Sequence, residues 1–141
     1  MDEIASMGLT FALWKRRVSR ALSPFGISFS QLELIQLARR RGAISLSKAA
    51  IELSWDRPTM TLVARKCVAG KWLSLKRSNA DRRSLKLALT GEGEELLDKI
   101  EARRVLAPES LGDPLDILDS AERSDLRRML DKVERRARDI L

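Results

Sequence analysis

Residues 73–89 read LSLKRSNADRRSLKLAL, and this stretch decides the class of fold. Apolar and polar residues alternate at Leu73-Ser74-Leu75 and again over residues 85–89, and a period of two indicates β-strands. The segment between them, residues 76–84, is polar, basic and rich in turn-forming residues. The stretch therefore predicts a β-hairpin with a charged tip.

Three helices are predicted before the hairpin and after residue 27. Ser30 and Glu33 have the spacing of a capping box, which opens the first of them. A short extended segment then precedes a second, brief helix that begins near Ser47. Asp56 is the expected N-cap of the third helix, and Pro58 falls in its first turn, where proline is tolerated.

The helix that follows Asp56 has two distinct faces. Its predicted buried stripe obeys the i, i+3, i+4, i+7 rule and comprises Met60, Val63, Ala64 and Cys67. A spacing of four places Arg57, Thr61 and Arg65 together on a different, exposed face. Because Cys67 lies on the buried stripe, we expect it to be a core residue rather than a reactive thiol.

Apolar stripes mark both ends of the chain. Near the N-terminus, apolar residues alternate in spacings of three and four, which is typical of a helix packed along another helix: Ile4, Met7, Phe11, Trp14 and Val18. A last helix from about residue 121 carries a second stripe: Leu126, Met129, Leu130, Val133, Ala137, Ile140 and Leu141. We expect these two stripes to pair two copies of the chain into a homodimer.

The order of these elements predicts a mainly α fold with a small β-hairpin, of the α+β class. Residues 28–90 form a winged helix-turn-helix domain, in which two adjacent short helices precede the hairpin. Residues 1–27 supply an N-terminal dimerisation helix, and residues 91–141 supply C-terminal dimerisation helices.

Basic side chains are concentrated in the middle of the chain. Residues 1–43 carry 7 basic and 3 acidic side chains, residues 44–90 carry 10 and 3, and residues 91–141 carry 10 and 14. A local concentration of positive charge is the electrostatic footprint of a nucleic-acid-binding protein. The alternative is a solvated surface with uneven charge, and charge alone does not separate the two.

The residue types that are absent exclude several classes of function. The chain has no histidine and one cysteine, so histidine-based acid–base catalysis, a Ser-His-Asp triad and a histidine metal site are all impossible. We expect no enzyme activity, metal or cofactor, although carboxylate or lysine chemistry stays possible in principle. No stretch approaches the ~20 apolar residues of a membrane helix, and the start does not read as a secretory signal. With a single cysteine, these features predict a cytoplasmic protein.

From about Gly8 to Leu97 the chain resembles the multiple antibiotic resistance regulator (MarR) family of winged-helix repressors. The strongest likeness is Asp81-Arg82-Arg83 followed by LKLALTGEG over residues 85–93. That family's hairpin typically reads Asp-x-Arg, then an apolar strand, then Leu-Thr-x-x-Gly. The likeness implies a homodimer with interleaved terminal helices and two recognition helices in successive major grooves of duplex DNA.

The DNA-binding residues expected on this interpretation fall into three groups. Arg57, Thr59, Thr61 and Arg65 belong to the recognition helix, whose exposed face is expected to enter the major groove. Arg83 is the expected minor-groove arginine at the hairpin tip, held in place by Asp81. Contacts to phosphates are expected from Lys48, Lys76, Arg77 and Arg82.

The family resemblance also implies a small-molecule pocket near the dimer interface. Its expected lining is aromatic and comprises Phe11, Trp14, Phe25 and Phe29. The alternative is that these four side chains are plain core aromatics. The predicted function is a transcriptional regulator of a palindromic operator, in the form of a repressor released by a small ligand or signal. The alternative is a winged-helix module that binds protein and has no specific DNA site.

Overall fold

The computed structural model describes residues 1–77 and 84–141. Its helices are α1 (Glu3–Leu22), α2 (Phe29–Arg41), α3 (Leu46–Leu53), α4 (Arg57–Ala69), α5 (Gly91–Ala102), α6 (Pro108–Leu111) and α7 (Ser120–Asp139), with a 3-10 turn at Ser23–Phe25. Its strands are β1 (Ile44–Ser45), β2 (Leu73–Arg77) and β3 (Leu85–Leu89). The chain divides into two compact units, residues 1–111 and 112–141. The predicted mainly α fold with a small β-hairpin is confirmed.

The three strands form one antiparallel sheet in the order β1-β3-β2. Leu75 of β2 lies opposite Leu87 of β3, and Lys76 lies opposite Lys86. The predicted hairpin is therefore present, but its first strand is longer than predicted. Lys76 and Arg77 extend β2 and do not belong to the loop, because the ladder with β3 continues to the pair Arg77–Leu85.

The core of the first unit lies between α2, α4, α5 and the sheet. Side chains with almost no exposed surface come from each of these elements: Leu34, Ile35, Leu37, Met60, Cys67, Leu73, Leu87 and Leu97. The predicted buried stripe of α4 is confirmed, since all four of its residues are buried. Because this stripe faces the core, the opposite face of α4 points to solvent.

Two of the three predicted helix starts are accurate. The backbone N–H of Thr59 donates a hydrogen bond of 2.7 Å to the Asp56 carboxylate, which lowers the pKa of that carboxyl and caps α4. Helix α3 begins at Leu46, close to the predicted start near Ser47, and Ser45 caps it.

The predicted capping box at Ser30 and Glu33 is wrong. The box is formed two residues earlier, where the Ser28 hydroxyl accepts from the Gln31 backbone N–H and the Gln31 side chain accepts from the Ser28 backbone N–H. Helix α2 begins at Phe29, so Ser30 already lies within its first turn.

Trp72, which precedes β2, lies close against Gly70 at the end of α4 and Gly93 of α5. A Cβ at Gly70 would lie 2.8 Å from the Trp72 ring, and one at Gly93 would lie 2.3 Å from the Trp72 carbonyl oxygen. Both positions therefore require the smallest residue. Between them Lys71 adopts φ +67°, a left-handed conformation that glycine adopts more readily. The Thr90 hydroxyl donates to the Lys71 carbonyl at 2.6 Å and stabilises this turn.

Each unit exposes apolar side chains on a long helix. In the first unit, Ile4 of α1 is 76% exposed and Phe11 is 53% exposed. In the second unit, α7 exposes Met129, Val133 and Ile140. Within the described residues, none of the helices is long and apolar enough to cross a membrane.

Candidate nucleic-acid interface

Helices α3 and α4 and the hairpin strands present basic side chains to solvent. Lys48 lies on α3, Arg57 and Arg65 lie on α4, and Lys76 and Arg77 end β2; all five are exposed. Every described residue that we predicted to contact DNA is therefore accessible to a macromolecular partner. Asp81, Arg82 and Arg83, the predicted residues of the hairpin tip, lie outside the described residues.

The exposed face of α4 is built by the burial of its other face. Thr59 and Thr61 are exposed beside the two arginines, as the predicted division of the helix requires. The structure adds a residue that sequence reasoning missed, because Leu62 lies on this face with 55% of its surface exposed. The helical spacing that defined the buried stripe contained the signal, since Leu62 is an apolar residue that falls outside that stripe.

A polar groove joins α3, α4 and the start of β3. It has a volume of about 230 Å³, and its polar lining consists of four hydroxyl groups and one guanidinium, from Ser45, Ser47, Arg57, Thr61 and Ser84. The rest of its lining is apolar: Leu46, Ala50, Met60 and Leu85. Hydroxyl and guanidinium groups donate hydrogen bonds to anionic oxygens. The groove therefore brings the first turns of α3 and α4 and the base of the hairpin into one donor-rich surface.

The hairpin places two lysines directly opposite each other. Lys76 of β2 and Lys86 of β3 are cross-strand partners, and both are exposed. Like charges at directly opposed positions destabilise a sheet. An anionic partner would remove this repulsion. Lys86 was missed from the sequence because the register of the hairpin, which pairs it with Lys76, is not readable from alternation alone.

Seven of the basic side chains of this region make no ion pair or hydrogen bond within the described part of the chain. They are those of Lys48, Arg57, Arg65, Lys66, Lys71, Lys76 and Lys86. We call these seven residues the unpaired cations. By contrast, Arg39 of α2 contacts Glu94, Asp98 and Glu101 of α5.

The sequence and the fold of this chain are similar to those of known proteins. The chain is 27% identical over 135 residues to the HTH-type transcriptional regulator PecS of Dickeya dadantii. The matched region covers 94% of this chain and 80% of PecS. A mutant MarR from E. coli, solved with operator DNA, matches with a TM-score of 0.82 and 19% identity over 92% of this chain and 91% of that one. The fold is that of the MarR regulators. The predicted resemblance to them is thereby confirmed in the fold.

A further solved structure has the same fold, although no family model matches the chain. BpsR from Bordetella bronchiseptica, whose DNA binding is regulated by 6-hydroxynicotinic acid, matches with a TM-score of 0.78. It is 21% identical over 94% of this chain and 93% of BpsR.

Two of the four predicted pocket aromatics meet in the MarR-type fold of this chain. Phe11 and Phe29 pack edge to face with ring centroids 5.9 Å apart, and the Lys15 ammonium lies 5.8 Å from the centre of the Phe29 ring. Trp14 and Phe25 are partly buried against the core, as is Phe29. Phe25 also lies under the Arg103 guanidinium.

Cys67 lies on the buried face of α4 with no exposed surface. Burial raises the pKa of its thiol to about 12, so the thiolate is scarce at neutral pH. The thiolate is the reactive form of cysteine. The prediction that Cys67 is a core residue is thus supported by its burial and by its pKa.

Proposed function

We propose that this chain is a sequence-specific, duplex-DNA-binding transcriptional regulator that acts as a homodimer in the cytoplasm. The observation that carries the proposal is the set of unpaired cations on α3, α4 and the hairpin. Neutralising phosphates with lysine and arginine is the main source of protein–DNA affinity. Among the described residues these seven side chains form no ion pair, so their charge is available for that purpose.

In this proposal residues 28–90 form the DNA-binding domain. Helix α4 enters the major groove, which admits one α-helix and presents a distinct donor and acceptor pattern for each base pair. Arg57, Thr59, Thr61 and Arg65 then face the base edges. Lys48, Lys76 and Arg77 contact phosphates, which position the helix without specifying sequence.

The hairpin tip is proposed to reach the neighbouring minor groove through Arg83, with Arg82 on a phosphate and Asp81 orienting Arg83. Because a minor-groove arginine senses groove width and A·T content, Arg83→Ala is expected to weaken binding most where the flank of the site is A·T-rich. Titration against operators with A·T and G·C flanks checks this expectation. Equal losses on both flanks would reduce the tip to a phosphate contact.

The homodimer is proposed to form through residues 1–27 and 91–141. The support is the apolar surface that α1 and α7 each leave exposed. Exposed apolar stripes of this length usually mark an interface with another protein. A dimer with a two-fold axis would read a palindromic operator. Sedimentation at micromolar concentration is expected to give twice the mass of one chain, and a stable monomer would contradict the proposal.

We propose further that the regulator is a repressor released by a small ligand. BpsR supports this, since a pyridine carboxylic acid regulates its DNA binding. In this chain Phe11, Phe29 and Lys15 offer aromatic rings beside an ammonium group, and Phe25 and Trp14 extend the aromatic set. Titration of preformed protein–DNA complex with aromatic carboxylic acids is expected to release the DNA. Phe29→Ala should abolish the release while leaving DNA binding intact.

A selection experiment tests the proposed function directly. The full chain is incubated with a library of random duplexes, and bound DNA is recovered and sequenced over several rounds. The expected result is a palindromic consensus that binds at nanomolar concentration at physiological salt, which is typical of specific protein–DNA complexes. Failure to enrich any duplex would favour the protein-binding alternative.

A further inference from the structure

The face of α4 that is proposed to enter the major groove has an apolar residue at its outermost point. At about 100° per residue, Leu62 lies about 200° around the helix from the buried Met60. It belongs to a stripe whose members are spaced by four, three and four and are all exposed: Pro58, Leu62, Arg65 and Ala69. This stripe lies farther from the core than Arg57 or Thr61.

Folding of the chain gives no reason for leucine at this position. Leu62 is 55% exposed, and the contribution of α4 to the core comes from the four residues of its opposite face. Among its exposed neighbours on the helix, Pro58 is apolar, and the others are polar or basic: Thr59, Thr61, Arg65 and Lys66. Because packing of the core does not explain this apolar side chain, we look for its role in the contact between α4 and a partner.

The major groove offers a leucine one kind of apolar partner. Guanine, cytosine and adenine present only donors and acceptors there, whereas thymine presents its C5-methyl group. A leucine placed against the other bases would cover polar atoms without bonding to them, which carries a cost in free energy. The outermost position of α4 thus discriminates in favour of thymine.

We propose that Leu62 is a specificity-determining residue that reads thymine through its methyl group. The proposal rests on the proposed function, because it requires α4 to lie in the major groove. Leu62 and Arg65 are three residues apart, so their Cβ atoms are separated by about 5–6 Å. Base pairs are spaced by about 3.4 Å along the duplex. The thymine therefore lies within about two base pairs of the base that Arg65 contacts, once in each half-site.

Removing the methyl group from the DNA tests the proposal without altering the protein. In the duplex enriched by selection, each thymine of both half-sites is replaced in turn by deoxyuridine, which pairs identically but lacks the C5-methyl. Dissociation constants are measured by fluorescence anisotropy. Wild-type protein is expected to lose about fourfold in affinity per methyl contact at one symmetric position, as the burial of one methyl group implies.

Three protein variants complete the cycle. Leu62→Ala is expected to bind the thymine and deoxyuridine duplexes equally, whereas Leu62→Met, which keeps an apolar side chain, retains the preference. Ile51→Ala is the matched control, since Ile51 is also an apolar residue, 71% exposed, but lies on α3 and not on α4. It is expected to keep the wild-type preference.

The outcomes separate this inference from the proposed function. If wild-type protein binds the selected duplex but is indifferent to deoxyuridine at every position, the assignment of Leu62 is wrong while the DNA-binding function stands. Retention of the preference by Leu62→Ala has the same meaning. If selection enriches no duplex, both the function and the inference are overturned.

Discussion

Two sets of arginine and lysine side chains in this chain have opposite surroundings. Arg39 is partly buried between α2 and α5, where Glu94, Asp98 and Glu101 all approach its guanidinium. The unpaired cations on α3, α4 and the hairpin have no such acidic neighbours among the described residues. The first arrangement satisfies its charge within the chain, and the second leaves its charge for a partner.

The difference separates charges that stabilise the fold from charges that we propose to contact DNA. The hydrogen bond with Glu101 raises the pKa of the Arg39 guanidinium, so this cation and its acidic neighbours stabilise each other within the fold. Lys76 and Lys86, by contrast, repel each other across the hairpin. Substitution of Arg39 should therefore change stability, whereas substitution of the unpaired cations should change binding.

The largest expected effect is that of Arg65→Ala on DNA affinity. If Arg65 contacts a base, the loss is expected to be about 1–3 kcal/mol on the preferred operator, with relaxed base preference at one position per half-site. Thermal unfolding should be almost unchanged, because the side chain is exposed and unpaired. Anisotropy titration and repeated selection with the variant measure the two effects. If the affinity and the selected consensus were both unchanged, the proposal that α4 lies in the major groove would be contradicted.

Arg39→Ala is expected to show the reverse pattern. Loss of the guanidinium leaves three carboxylates close together on α5, and the free energy of unfolding is expected to fall by about 1–2 kcal/mol. At a temperature where the variant is folded, its affinity for the operator should equal that of the wild type. Denaturant titration and anisotropy provide the two readings. A larger loss of affinity than of stability would make Arg39 part of the binding surface.

A smaller effect is expected on the buried face of α4. Cys67→Ser places a hydroxyl in an apolar stripe and is expected to lower stability by about 1 kcal/mol. Because burial raises the pKa of the Cys67 thiol to about 12, oxidants should release DNA from neither the wild type nor the variant at neutral pH. Release from the wild type alone would show that this face senses oxidants.

The contribution of the buried Cys67 thiol to stability is expected to depend on pH. The pKa of the Cys67 thiol is higher in the folded chain than in the unfolded chain, so the protonated thiol stabilises the folded state below about pH 9. This contribution declines as pH rises from about 9 towards 12, because the unfolded chain loses the proton first. The difference in unfolding free energy between wild type and Cys67→Ser should therefore shrink over that range. Denaturant titrations at pH 8 and pH 10 make the comparison.

The sequence was sufficient wherever one short pattern determines the structure. The stripe of α4 follows from helical spacing, and the Asp56 cap follows from a side chain that reaches the backbone three residues on. The capping box of α2 was misplaced because two overlapping pairs, Ser28 with Gln31 and Ser30 with Glu33, have equivalent spacing. The choice between them depends on where the preceding chain enters the core, through the buried Ile27.

The two missed residues of the candidate site were missed for different reasons. Lys86 is identified as part of the candidate site only from the strand pairing, which places it opposite Lys76. Leu62 stands out because it is exposed and does not belong to the buried core. The position of Lys86 depends on the pairing of two strands, which local patterns do not encode, whereas Leu62 could have been found from the helical spacing of α4 alone.

Salt dependence of operator binding tests most directly the claim that the unpaired cations bind phosphates. Each neutralised phosphate contributes roughly −0.9 to the slope of log affinity against log salt concentration, so a dimer with about eight contacts should give a slope near −7. The double variant Lys76→Ala, Lys86→Ala removes up to four of these contacts per dimer and should give a clearly shallower slope, whereas Arg39→Ala should leave the slope unchanged. A flat response in the wild type, or equal slopes for all three proteins, would contradict the account.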